Sequence, residues 1–313
     1  MTSQESYKLA VDMAIKADLR GEEKVLKYLQ RKKDKYEKIK DSEKKDYDQE
    51  NLNNPYSDTR ILFDNKKEIK KILVGIDAEG PELMLAKNLG ADLVISHHPE
   101  GGALADLHSV MDLQAEVLAL YGLPINIAES VIKLRISEVS RSVSSSNHYR
   151  WVDMARALNL NYMCTHTSAD NLGARYLFDL ISKQERDLEY VEDILSLLDK
   201  IPEYNESKKR KAGPLLFTGS PESRCGKIVI TEFTGGTSGS KDVYEKMAQY
   251  GIGTIVGMHM HEEHRKEAEK HHINVVIAGH MASDSLGMNI FLDELEKKGV
   301  EVIPSAGLIR IKR

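Results

Sequence analysis

The chain has 313 residues, 41% of them hydrophobic and 30% charged, enough for one large or two modest globular cores. Cys164 and Cys225 are its only cysteines, which excludes a disulfide framework and a thiolate-rich zinc site and leaves imidazole and carboxylate as the metal-ligand chemistry available. The formal net charge of -5 gives no general pull toward nucleic acid or an anionic membrane, no apolar run reaches the roughly 18 residues of a membrane span, and the opening MTSQESYKLAVDMAIKADLR lacks the apolar core of a secretion signal, so a cytoplasmic protein is expected.

Residues 1–64 are expected to form an N-terminal helical extension. Tyr7, Val11, Ile15 and Leu19 recur every fourth position, and EEKVLKYLQRKKDKYEKIK interleaves its charges as a solvated or partner-packing helix does. Asn53, Asn54 and Pro55 then break the pattern. From about residue 70, short apolar runs alternate with amphipathic stretches: KILVGIDA, ADLVIS, NYMCT, GKIVITEF, GIGTIVGM and INVVIAG. This alternation predicts a two-lobed, layered α/β protein, with lobes at 65–201 and 214–313 and a polar linker at 202–213. The KKRK run in the linker reads as a solvated loop. Between ADLVIS and NYMCT lies a long helical section, marked by Leu113, Val117 and Leu120 and by SVIKLRISEVSRSV, that carries no legible motif.

The polar residues gather where three predicted strands end. ADLVIS runs into His97 and His98, with Pro99 stopping the strand; NYMCT runs into His166, Thr167 and Asp170; INVVIAG runs into His280 and Asp284. In open α/β sheets ligands collect outside the carboxyl ends of strands, where the backbone opens into loops and helix N-termini. The segment SDSLGMNIFLDELEKK reads as a helix closed by Gly299, so His280 and Asp284 share one face of its first turn. Each element also has a plain reading: a polar His pair, a helix cap at Asp170, a histidine satisfied by a carbonyl at 280. Taken together, His97, His98, Asp170, His280 and Asp284 suit a pair of divalent ions such as iron, zinc, manganese or cobalt, about 3.5–4 Å apart under a bridging carboxylate. His166, four residues before Asp170, is the expected second-sphere partner or proton shuttle.

These segments resemble the Ngg-one-interacting-factor-three-like family, also described as GTP cyclohydrolase I type 2 or dinuclear metal centre hexameric proteins. The matching motifs are ISHHP at 95–99, THTSAD at 165–170 and GHMASD at 279–284. The resemblance implies that His97, His98, Asp170, His280 and Asp284 hold two metals, and that two-lobed α/β subunits assemble as a homohexamer. Three departures stand out. Asp284 replaces a glutamate and is one methylene shorter, so bridging two ions requires its helix to sit closer to them or leaves one ion weakly held. The interval from His98 to Asp170 is long and the N-terminal helices look like an addition. Where the family carries Thr-Gly-Asp followed by His, this chain has VGMHMHEEH, with His259, His261 and His264 near another strand end.

A metal-dependent hydrolase acting on a phosphorylated small molecule is the leading expectation, since a divalent ion lowers the pKa of bound water toward about 7. The loop TGGTSGSK adds Gly235, Gly236, Thr237 and Ser238 as candidate phosphate contacts, although it lacks the Gly-Lys-Ser/Thr ending of a Walker loop. The cyclohydrolase label implies water attack on the imidazole ring of GTP, but no residue in these motifs identifies guanine. The alternative is a metal-holding regulatory scaffold without turnover; a nucleic-acid role is disfavoured by the acidic balance.

Overall fold

The computed structural model describes residues 1–313. Two helices open the chain, α1 (Ser3–Ala17) and α2 (Glu22–Lys38), with the short α3 (Asp41–Lys44) after them. The first sheet takes β1 (Thr59–Phe63), β2 (Lys71–Gly75), β3 (Leu93–Ser96) and β4 (Asn161–Thr165). Helix α4 (Gly80–Asn88) joins β2 to β3, while α5 (Gly101–Ala105), α6 (Asp112–Leu120), α7 (Ile125–Ser144) and α8 (Arg150–Ala157) fill the interval from β3 to β4. Helix α9 (Thr167–Gln184) leaves β4, and α10 (Val191–Leu198) and α11 (Pro202–Lys209) lead to the second sheet. That sheet holds β5 (Leu215–Thr218), β6 (Lys227–Ile230), β7 (Ile252–Gly257) and β8 (Asn274–Ile277), with α12 (Val243–Gln249) and α13 (Glu262–Lys270) as crossovers. Helix α14 (His280–Lys297) follows β8, and β9 (Glu301–Pro304) returns to the first sheet.

The strand orders are β1-β4-β3-β2-β9 and β5-β8-β7-β6. In the first lobe β2, β3 and β4 are parallel and β1 lies antiparallel on β4; in the second β6, β7 and β8 are parallel and β5 lies antiparallel on β8. The lobes thus share one topology. The inner parallel strands are short, mainly apolar runs buried on both faces, as covering helices demand. The layered α/β architecture expected from the alternating runs is present, and the three strands that the apolar runs did not announce, β1, β5 and β9, are all sheet edges. An edge strand pairs on one side only and tolerates exposure, so TRILF, LLFT and EVIP lack the continuous apolar signature.

The chain crosses between its lobes more than once. Residues 1–64 hold helices and also β1, and α1 packs on α9, placing Val11 and Ile15 in the largest apolar core, each worth about 1.5–3 kcal/mol when fully buried. Thr2 and Glu5 close a reciprocal capping box on α1. Inside the 202–213 segment, Glu203 is fully buried, pairs with Arg313 and accepts from Asn289 Nδ2 at 2.8 Å on α14. These ties fix α14 against the rest of the fold. No helix is long and apolar enough to cross a membrane.

Candidate metal centre

Three strand ends place the site. Past β3, the N–H groups of His97 and His98 donate to the carbonyls of Gly75 and Ile76, which holds both residues in register just beyond β2. His97 Nδ1 then lies 3.1 Å from the Thr165 carbonyl oxygen and His98 Nδ1 lies 2.6 Å from Asp77 Oδ1. Past β4, the His166 carbonyl accepts from Ala169 and Asp170, starting α9 with Asp170 in its first turn. Past β8, Gly279 takes φ +113°, a conformation that suits glycine, and turns the chain directly into α14 with His280 and Asp284 on one face.

The side chains converge. His97 Nε2 is 3.3 Å from Asp170 Oδ1 and 3.6 Å from Asp284 Oδ1. The other Asp284 oxygen, Oδ2, is 3.6 Å from His98 Nε2 and 3.5 Å from His280 Nε2. His97, Asp170 and Asp284 each offer one ligand atom within 4.8 Å of the others, as do His98, His280 and Asp284. Asp170 Oδ1 and both Asp284 oxygens are buried without a hydrogen bond. Desolvated carboxylate oxygens with no donor are costly unless a cation compensates them, so this donor set fits a metal. These buried His and Asp groups can hold a metal ion.

The electrostatics agree. Burial opposes charge on His97, yet the neighbouring carboxylates of Asp284 and Asp170 raise its pKa well above the imidazole range. Burial would raise the Asp284 pKa, but His97, then His280 and His98, hold it down at about 2. His280 goes the other way, lowered to about 4 chiefly by burial. A proton on His97 therefore occupies the positive role between the two carboxylates that a bound cation would take.

Asp284 reaches both triads from α14, which packs closely on α9. A Cβ on Gly287 would sit 2.1 Å from the Ala169 carbonyl oxygen, and one on Gly173 would sit 3.4 Å from Gly287 N. The two carboxylates are three residues before these glycines, in the matching stretches HTSADNLG (166–173) and HMASDSLG (280–287). That internal repeat was a signal available in the sequence. It announces the helix crossing, which spacing arguments on single segments miss. Asp58 and Asp77, which anchor His166 and His98, carried no such signal.

The glycine loop lies one side chain away from the cluster. Ser238 Oγ is 3.4 Å from His259 Nδ1, and the His259 ring centroid is 4.6 Å from that of His280. Gln114 Nε2 donates to the carbonyls of Gly235 and Thr237, and Arg135 Nε donates to that of Ser238. Gly235 and Gly236 both have φ +88°, and side chains there would press on Gln114 and Met111, which gives both glycines a packing role. His261 and His264 point away along α13, His264 Nδ1 lying 3.0 Å from the Tyr244 hydroxyl.

No family model matches the sequence, and no curated protein matches it either. The structure is similar to a NIF3 superfamily protein from Sphaerobacter thermophilus, at 24% identity, covering 98% of this chain and 99% of that one with a TM-score of 0.80. The two chains share one fold. Looser overlaps include reduced HcgD from Methanocaldococcus jannaschii, at 15% identity over 76% of this chain and 84% of that one with a TM-score of 0.46. Another is TTHA1606 from Thermus thermophilus, at 15% identity over 80% and 88% of the two chains with a TM-score of 0.43. The 2% of this chain outside the Sphaerobacter overlap is too short to hold α1, α2 and β1, so these lie within the fold that the two chains share.

Proposed function

We propose that this protein is a dinuclear metal-dependent hydrolase acting on a phosphorylated small molecule, with iron, zinc or manganese as its ions. Asp284 carries the reading: its two buried oxygens, neither hydrogen-bonded, face separate sets of imidazoles. His97, Asp170 and Asp284 Oδ1 would hold one ion, and His98, His280 and Asp284 Oδ2 the other. Bound divalent ions would supply a water of lowered pKa and polarise a carbonyl or phosphoryl oxygen. The Thr165 carbonyl and Asp77 hold the Nδ1 protons of His97 and His98 and so present Nε2 lone pairs inward.

Support for a phosphorylated substrate comes from the glycine loop. Its carbonyls are held by Gln114 and Arg135, while the N–H groups of Gly236, Thr237 and Ser238 make no hydrogen bond within the chain. Donors arranged in that way suit an anion. A guanine nucleotide opened by water, as in a cyclohydrolase, is one member of this substrate class. A homo-oligomer, hexameric by the resemblance, accords with Met84, Leu85 and Leu89 left exposed around α4.

The test is turnover of a nucleotide and phosphoester panel by protein loaded with manganese, iron or zinc. Hydrolysis by the wild type, abolished in His97→Ala and Asp284→Ala, is expected. Full metal loading with no turnover of any panel member would instead favour a metal-holding scaffold.

A further inference from the structure

We propose that His166 is a metal ligand, the first-lobe counterpart of His280, and that it belongs to the ion held by His97 and Asp170. This rests on the two-ion reading above and assigns a residue to it.

Two independent observations converge on His166. It stands four residues before Asp170, as His280 stands four before Asp284, and both pairs are followed by Leu and Gly at the same spacing. Both turns leave the same strand of the shared topology, β4 in one lobe and β8 in the other, each flanked by one parallel and one antiparallel neighbour. The second observation is how the ring is held. His166 Nδ1 lies 2.8 Å from Asp58 Oδ2, an oxygen that also accepts from the Thr167 hydroxyl at 2.6 Å. His97 and His98 are fixed by the same device, Nδ1 on a protein acceptor and Nε2 turned inward. One nitrogen of His166 lies within 4.8 Å of ligand atoms on both His97 and His98, and its Nε2 is 3.9 Å from Asp170 Oδ2.

A proton shuttle would need an outlet. His166 is 8% exposed and its Nδ1 faces a fully buried carboxylate, so only Nε2 is left to act toward the site. An inward lone pair anchored by a buried carboxylate is the arrangement of a metal-bound imidazole. The two ions are then unequal. The His166 ring centroid is 5.1 Å from that of His97 and 5.8 Å from that of His98, so the first ion would have His97, His166, Asp170 and Asp284 as protein ligands; the second would have His98, His280 and Asp284 and keep more room for water or substrate.

Cobalt(II) titration of the full chain, followed by visible absorption and by metal analysis, tests this. The wild type should take up cobalt in two steps, the tighter step belonging to the His166 ion. His166→Gln should weaken that step by at least about tenfold and alter its absorption bands, and Asp58→Asn should weaken it by about 10- to 100-fold while keeping the imidazole. Should His166→Gln fail to fold, X-ray absorption of the wild type counts imidazoles directly: about two per cobalt if His166 binds with His97, His98 and His280, about three for every two cobalts if it does not. A His166→Gln protein with wild-type affinities and spectrum at both steps, or the lower imidazole count, overturns the assignment and leaves the two-ion site standing. Uptake below about half an equivalent by the wild type overturns the two-ion reading itself.

Discussion

Both lobes turn from a parallel strand into a long helix through the same residues, yet what surrounds the turn differs. In the first lobe Ser96 faces Cys164 across β3 and β4, and His97 and His98 follow; in the second Gly257 faces Ile277 across β7 and β8, and Met258 and His259 follow. Four helices separate β3 from β4, whereas α13 alone separates β7 from β8. The positions of the carboxylates are thus set by a turn and a helix crossing common to both halves, while the supply of imidazoles is decided lobe by lobe. Three of the five expected ligands, His97, His98 and Asp170, come from the first lobe and two, His280 and Asp284, from the second.

The largest effect should come from breaking the shared element. Asp284→Ala removes the one carboxylate that faces both sets of imidazoles and should eliminate most bound metal, as measured on protein purified without chelator. Asp170→Ala should cost only the ion on the His97 side. Equal losses from the two variants would show that the carboxylates serve the ions symmetrically, against the geometry of Asp284.

The crossing itself separates the two glycines. Gly287→Ala drives a Cβ to 2.1 Å from a backbone oxygen that cannot swing away, so α14 must move off α9; a loss of about 1–3 kcal/mol in chemical denaturation is expected, together with weakened metal uptake. Gly173→Ala meets its neighbours only at 3.4 Å and should cost less on both measures. Adding Asp284→Glu to Gly287→Ala should restore part of the metal affinity, because the added methylene spans the widened gap. A double variant no better than Gly287→Ala would show that helix separation is not what limits the site.

Much of this was legible in the chain of letters, and the reasons for the remainder are physical. The inner parallel strands betray themselves because both faces are buried, and the clustered His and Asp residues stand out because strand ends are where a sheet opens. Edge strands β1, β5 and β9 escape because one-sided pairing relaxes the apolar pattern. Asp58 escapes for another reason: it anchors His166 across a sequence separation of 108 residues, from a segment whose periodicity reads only as helix. The close approach of α14 to α9 at Gly173 and Gly287 is a tertiary contact that no spacing within a single segment reports.

Acidity should sharpen the contrast between His97 and His280. Without metal, His97 has a raised pKa, so its ion pairing stabilises the fold at pH below its unfolded value of about 6.5 and that contribution is lost as pH rises through the folded pKa. Asp284 is depressed to about 2, so its contribution is present above its unfolded value near 4 and is lost as pH falls toward 2. His280, lowered to about 4, is already neutral near pH 7 and needs no proton removed before binding. Metal should therefore displace protons from the His97 side, and the gain in thermal stability on adding metal should grow from pH 5 to pH 8. A gain that is flat across this range would mean that no proton competes with the ion.

The smallest effect belongs to the second lobe's own arrangement. Ser238 touches His259 at 3.4 Å, the long end of hydrogen bonding, and His259 in turn meets His280 edge-on. Gln114 and Arg135 hold the loop carbonyls independently, so Ser238→Ala should leave the loop in place. If Ser238 contacts the phosphate as proposed, losing one hydrogen bond there is worth about 1 kcal/mol, which corresponds to a KM raised about fivefold, with metal content and kcat unchanged. A fall in metal content would point elsewhere: Ser238 would then support His259, and through it His280, as Asp77 supports His98 in the first lobe. Metal analysis beside KM distinguishes the two, because substrate contact moves only KM and imidazole support moves the metal.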